Sequence, residues 1–140
     1  MHPLDSRPKL VSFKATKFHG DNPAPNSRKQ ALTLELTQTI DVGLVAPISP
    51  ESGLQALVKI DFLAVAKPPG TKDKIAEFKA CYEGKYDYPD GVLEAQIAPL
   101  LDQEAYQYML VAQSFPLAMT HFRRELQSFG VDARNLPLGI

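Results

Sequence analysis

Four successive segments within the first 88 residues alternate between apolar and polar side chains, and this alternation constrains the fold more than any other feature. A period of two is typical of β-strands that bury one face. The connections, such as GDNPAPNS at 20–27, are rich in turn-forming residues and too short for the crossovers that parallel neighbours need. The pattern therefore predicts an antiparallel sheet. Its strands are predicted at 10–18, 32–40, 54–67 and 74–88.

The third and fourth strands have the clearest faces. In the third strand the even positions are apolar, whereas the odd positions mix polar residues with Leu57, Leu63 and Val65. A single chain would leave those three side chains in contact with water, so the pattern predicts self-association. The apolar face of the fourth strand is predicted to carry Ala76, Phe78, Ala80, Tyr82, Tyr86 and Tyr88.

Beyond the fourth strand the apolar residues recur every three or four positions, which is the period of a helix. Residues 92–101 are predicted to form a short helix or turn-rich segment that Pro99 interrupts. Asp102 is a candidate N-cap for a long helix from about Gln103 to Phe129. Gly130 suits the left-handed position that ends a helix.

Pro116 lies inside the long helical segment. A proline in a helix interior removes one backbone hydrogen bond and costs roughly 3 kcal/mol. One interpretation is a bend near the start of the helix, at which the carbonyl of Ala112 loses its usual partner. The other is that Pro116 starts a separate helix in its first turn, where proline carries no penalty. Both interpretations predict a break at this position.

The order of these elements predicts one α+β domain that covers residues 1–140. In it a four-stranded antiparallel sheet carries a short helix and a long C-terminal helix on one face. A chain of this length can form a single hydrophobic core but not two independent ones. Residues 1–8 are expected to be a disordered N-terminus.

Composition argues against several classes of partner. Fifteen basic and sixteen acidic residues leave a formal charge of −1, which gives no support for binding to nucleic acid. No apolar run of about 18 residues is present, so insertion into a membrane is not expected. Cys81 is the only cysteine, which rules out an intrachain disulfide and fits a reducing, cytoplasmic location.

Few residues form a pattern that could support catalysis. His2, His19 and His121 lack the spacing of a metal site, and Cys81 is interpreted as a buried structural thiol. The segment GTKDK at 70–74 lacks the strand-to-helix context of a phosphate-binding loop. The sequence therefore predicts no catalytic residue, no metal ligand and no cofactor, and the chain is not expected to be an enzyme.

Aromatic and large apolar residues are concentrated where the last strand meets the helices. Most of them are interpreted as core. Some are candidates to line a groove for an extended apolar segment of another protein, because tyrosine combines an apolar ring with a polar tip that tolerates partial exposure. The set comprises Tyr82, Tyr86, Tyr88, Val92, Leu93, Ile97, Leu100, Leu101, Tyr106 and Tyr108.

Four segments follow one another in the pattern of a known family. They are EFKACYEGKYDY (77–88) with Phe78, Gly84 and Tyr86, SFPLAMTHFRREL (114–126), NLPLGI (135–140) and NPAP (22–25). EFKACYEGKYDY contains an aromatic residue, then a glycine and then another aromatic residue. SFPLAMTHFRREL contains an aromatic–proline step followed by arginine, and the other two segments contain proline. Taken in chain order, which begins with NPAP, and over roughly residues 9–140, they resemble the protein-export chaperone family SecB.

The resemblance implies an ATP-independent chaperone that holds unfolded or partly folded polypeptides in apolar grooves, either for protein export or to protect an antitoxin. Four chains of that family assemble as a dimer of dimers; whether this chain forms a dimer or a tetramer is left open. Docking to the translocation motor SecA is doubtful, because Lys79 lies near an expected acidic position and the chain ends at Ile140 without the family's tail. The resemblance places client-binding candidates at Tyr82, Tyr86, Val92, Ile97, Leu100, Leu101 and Tyr106.

Two alternatives to a chaperone remain open from the sequence. The first is a dedicated adaptor that binds one folded partner by adding a strand at a sheet edge. The second is an enzyme that uses Cys81 or His121, which full activity of the Cys81→Ala and His121→Ala variants would rule out.

Overall fold

The computed structural model describes residues 7–23, 33–45, 53–68, 74–134 and 136. The described elements are β1 (Lys9–Asp21), β2 (Thr33–Val45), β3 (Gln55–Lys67), β4 (Ala76–Asp87), α1 (Glu94–Leu101) and α2 (Glu104–Ser128). All neighbouring strands are antiparallel, in the order β1-β4-β3-β2, so β1 and β2 are the edges of the described sheet. The predicted α+β class, with a four-stranded antiparallel sheet and two helices, is confirmed.

The two faces of the sheet follow the predicted alternation in β3 and β4. The even-numbered side chains of these strands are buried and face α2; we call this side the covered face. At its centre, the ring centroid of Phe62 lies 5.7 Å from that of Phe115 and 5.0 Å from that of Phe122. The odd-numbered side chains form the open face, where Leu57 and Leu63 are half-buried.

The alternation of the first strand predicts Val11, Phe13 and Ala15 on the apolar face, and this prediction is wrong for Val11. The ladder with β4 shifts between Leu10 and Ser12 and again between Ala15 and Lys17. Each shift is a β-bulge, which inserts one residue and moves every later side chain to the other face. Val11 therefore drops out of the apolar face and is 49% exposed.

The interpretation that Pro116 starts a separate helix is wrong, because α2 continues through this residue. The bend within one helix stays a prediction. Phe115, which precedes the proline, and Phe122, which follows it, both pack against Phe62 of β3. The hydroxyl of Thr120 donates a hydrogen bond of 2.7 Å to the Pro116 carbonyl. Packing of the apolar stripe therefore outweighs the lost backbone hydrogen bond. In the same way, Pro99 lies within α1 and does not interrupt it.

The helix ends differ from the prediction at one cap and agree at another. Asp102 is the C-cap of α1, with helical dihedral angles, whereas the extended residue Gln103 is the N-cap of α2. A connection this short leaves Asp102 no extended conformation in which to cap the next helix. Gly130 has φ +83°, and the Val131 N–H donates to the Leu126 carbonyl at 3.0 Å. This is the Schellman arrangement, and the predicted glycine stop is confirmed.

Some predicted features fall outside the described part of the chain. The disorder predicted for residues 1–8 stays a prediction; of these residues the structure describes only Arg7, which is exposed, and Pro8, which is buried. The features outside are residues 1–6 with His2, part of NPAP (22–25), Leu32 of the second strand, most of GTKDK (70–74) and all of NLPLGI (135–140) except Leu136.

Candidate functional site

Three of the predicted client-binding residues lie in the core. Tyr82 is 2% exposed, and Tyr86 and Ile97 are fully buried. The two tyrosines occupy even positions of β4 and therefore face α2, while Ile97 is the buried residue of α1. A polypeptide cannot reach these side chains in this conformation, so they are left out of the surface described below. The client-binding role of the seven residues stays a prediction.

The buried hydroxyl of Tyr86 is satisfied by α2. It donates to the Leu110 carbonyl at 2.5 Å and shares a short hydrogen bond with the Ser114 hydroxyl. Burial raises the pKa of Tyr86 above its usual value. The close approach of Ser114 to the strand is possible because position 84 is a glycine. The Tyr86 side chain thus links β4 to α2 through hydrogen bonds.

The other four predicted residues are half-buried and lie at the edge of the core, where α1 contacts both β2 and α2. β2 and the start of α2 contribute half-buried apolar side chains of their own. We call the whole set the corner surface. It consists of Val92, Leu100, Leu101, Tyr106 and Met109 with Ile40, Val42 and Leu44 of β2.

The β2 members and Met109 were missed by the sequence interpretation. In the sequence, Ile40 and Val42 look like the apolar positions of any half-buried strand. They become partly accessible because β2 is an edge strand that the short α1 helix covers, rather than the long α2 helix. No local signal in the sequence marks a strand as an edge strand. The sequence predicts one long helix rather than two, which is consistent with incomplete cover of the sheet face by helices.

Acidic residues accompany the corner residues in the segment from Tyr86 to Phe122, and we call them the acidic rim. From Tyr86 to Phe122 the sequence contains no lysine or arginine. Carboxylates in the first turns of α1 and α2 also suit the positive ends of the helix dipoles. The rim consists of five exposed residues, Asp87, Asp90, Glu94, Asp102 and Glu104.

A pair of tyrosines connects the sheet to the corner surface. Tyr88 follows β4 directly and is 5% exposed, and its hydroxyl lies 2.7 Å from the hydroxyl of Tyr106 in the first turn of α2. Burial is the main cause that raises the pKa of both tyrosines. Both hydroxyls therefore keep their protons at neutral pH.

The centre of the open face is charged. Lys14 of β1, Glu83 of β4, Lys59 of β3 and Asp41 of β2 are successive cross-strand partners, so their charges alternate across the whole sheet. Opposite charges on facing strands stabilise a sheet that is in contact with water. The open face is therefore less suited than the corner surface to bind a continuous apolar segment.

Cys81 and His121, the residues of the alternative enzyme hypothesis, lie on opposite sides of the sheet. Cys81 is on the open face and half-buried, so the prediction of a buried thiol is corrected. His121 belongs to α2 and stacks on Phe13 at 5.7 Å. The sheet separates the thiol from the imidazole, so the structure does not bring them together as nucleophile and base.

The Cys81 thiol is expected to react slowly with a thiol reagent. A hydrogen bond to the facing carboxylate of Asp61, with partial burial, raises the pKa of Cys81 and lowers the thiolate fraction. Asp61→Asn should make the reaction with a disulfide reagent at pH 8 several-fold faster. Asp41→Asn, another carboxylate of the open face, is the control and should leave the rate unchanged. Equal rates for wild type and Asp61→Asn would contradict this.

Neither metal nor membrane features are found in the part of the chain that the structure describes. No group of three His, Cys, Asp or Glu side chains there could hold a metal ion. Neither α1 nor α2 is long and apolar enough to cross a membrane.

Comparison with known proteins places the chain by its fold. The arrangement of sheet and helices is that of SecB-like chaperones, so the resemblance suggested by the sequence is confirmed for the fold. One solved structure with this fold is the Mycobacterium tuberculosis SecB-like chaperone Rv1957, in complex with a ChAD peptide from the HigA1 antitoxin Rv1956. It matches with a TM-score of 0.67 over 94% of this chain and 90% of that chain, at 12% sequence identity. An identity this low shows the fold alone. No protein-family model and no curated protein matches the sequence.

Proposed function

We propose that this chain is an ATP-independent holdase that binds unfolded or partly folded polypeptides on the corner surface. The observation that carries the proposal is the set of partly accessible, uncharged apolar side chains at the corner where α1 contacts both β2 and α2. Holding a client requires accessible apolar area and no catalytic group. The fold that this chain shares with a SecB-like chaperone supports the proposal.

The structural neighbour also supports a client class. Rv1957 is bound to a peptide from an antitoxin, so of the two roles that the sequence suggests, protection of an antitoxin has more support than export. The acidic rim suggests the chemistry of the client, which is an apolar segment with basic residues on either side. Self-association and a cytoplasmic location are further parts of the proposal.

The direct test is suppression of aggregation without nucleotide. An unfolded client protein diluted from denaturant should stay soluble when this chain is present at a roughly equimolar ratio. Light scattering measures both client aggregation and the oligomeric state of the chain. Unchanged aggregation of the client, with a chain that is a monomer in solution, would contradict the proposal.

A second candidate function is an adaptor that adds a strand from a folded partner to the edge of β2. β1 carries two bulges and three lysines, features that prevent edge pairing, whereas β2 is a regular strand without lysine or proline. Among the described residues no strand pairs with the outer edge of β2. Affinity for one folded partner, without affinity for denatured proteins, would favour the adaptor.

A further inference from the structure

The geometry points to Tyr88 as a positioning residue for client binding, whose hydroxyl holds the ring of Tyr106 in place on the corner surface. This inference rests on the proposed function. It adds a residue that lies outside the corner surface and that a client does not touch. Its argument comes from how each tyrosine is anchored.

Tyr88 is fixed to the sheet from two sides. Its backbone N–H donates to the Leu54 carbonyl at 3.1 Å, which extends the pairing of β3 and β4 by one residue. Its side chain is buried in the core cluster. The hydroxyl of Tyr88 is therefore a fixed point at the end of the sheet.

Tyr106 belongs to a part of the chain that is held less firmly. It lies in the first turn of α2, whose N-cap residue Gln103 makes no side-chain capping hydrogen bond. The turn is linked to α1 through the Gln107 side chain, which donates to the Leu101 carbonyl. α1 in turn has a single buried side chain, Ile97. The bond between Tyr88 and Tyr106 therefore ties this corner directly to the sheet.

Fixing the Tyr106 ring favours binding because an ordered side chain loses less entropy when a client covers it. A tyrosine ring on a partly exposed helix turn has fewer accessible rotamers when its hydroxyl is held by a hydrogen bond. With its hydroxyl bonded, the ring presents one apolar surface. Burial raises the pKa of both hydroxyls, so the bond persists over the pH range of ordinary binding experiments.

The test is a double-mutant cycle on peptide affinity. Tyr88→Phe and Tyr106→Phe each remove one hydroxyl and keep the ring, and each is expected to weaken binding of a lysine-flanked apolar peptide about five-fold. The double variant should bind no more weakly than Tyr106→Phe alone, because the bond between the two hydroxyls is already lost in that single variant. The peptide dissociation constant is measured by fluorescence anisotropy of the labelled peptide.

Tyr86→Phe is the matched control. It also deletes a buried tyrosine hydroxyl near the end of β4, but that hydroxyl bonds to Leu110 and Ser114 rather than to the corner surface. It should lower the temperature of unfolding and leave peptide affinity unchanged.

The outcomes separate this inference from the proposed function. Wild-type protein that binds no peptide would overturn both. Wild-type binding that Tyr88→Phe leaves unchanged would overturn the positioning role and leave the holdase proposal standing. An equal loss of affinity in Tyr86→Phe would also overturn it, because general destabilisation would then account for the effect.

Discussion

Gly84→Ala is expected to lower the free energy of unfolding by about 3 kcal/mol. An added Cβ would overlap the Ser114 hydroxyl oxygen and would lie 3.3 Å from the Ser114 Cβ and 3.4 Å from a methyl group of Leu10. The cause is lack of space, since φ at Gly84 is not positive. Either α2 moves away from the sheet, or Ser114 rotates and gives up its hydrogen bond to Tyr86.

Denaturant unfolding of a matched series tests this explanation. Gly43→Ala, also in a strand, adds a Cβ that meets nothing within 4 Å, so its stability should change by less than about 0.5 kcal/mol. Ser114→Ala removes the atom that obstructs the new methyl group, so Gly84→Ala should cost clearly less in that background than alone. Equal losses for the two glycine substitutions, or additivity with Ser114→Ala, would show that contact with the helix is not the cause.

The buried strands could be predicted from the sequence because their signal is local and unbroken. In β3 and β4 each even position faces α2, and the apolar period of two follows from that alone. β1 could be predicted as a strand but not in its register. A bulge adds one residue to one strand without any compositional mark, and Val11 was placed on the wrong face for this reason.

Pro116 shows a different limit of sequence interpretation. The cost of a proline in a helix is a local quantity, whereas the packing that offsets it comes from Phe62, more than fifty positions away in the chain. The prediction included the local cost of the proline but could not include its compensation by packing against Phe62. Tertiary packing commonly overrides local propensity in this way.

The candidate site was only partly predictable for a related reason. An apolar residue next to a helix–strand junction can face the core or the edge of the core, and the sequence does not distinguish them. Tyr86 and Leu101 both fitted a groove, yet the first is fully buried and the second half-buried. Their burial differs because different elements pack against them, and this packing depends on the strand order β1-β4-β3-β2.

Replacing the two corner leucines of α1 is expected to abolish most client binding. Leu100→Gln/Leu101→Gln keeps good helix formers on an already half-buried surface, so the fold should be retained. Each leucine that a client finishes covering contributes about 1 kcal/mol, so together their loss should weaken peptide binding roughly 30-fold. A lysine-flanked apolar peptide is the ligand, and circular dichroism verifies the fold of the variant.

The open face offers a control with the same chemistry. Leu57→Gln/Leu63→Gln also replaces two half-buried leucines, but on the opposite side of the sheet and beside the alternating charges of Lys59 and Glu83. This variant should bind the short peptide as wild type does, and light scattering should show weaker self-association, because these leucines are the predicted contact between chains. The corner variant should show the reverse, with unchanged assembly and lost binding. If instead the open-face variant loses the peptide and the corner variant keeps it, clients bind on the open face and the corner surface is not the site.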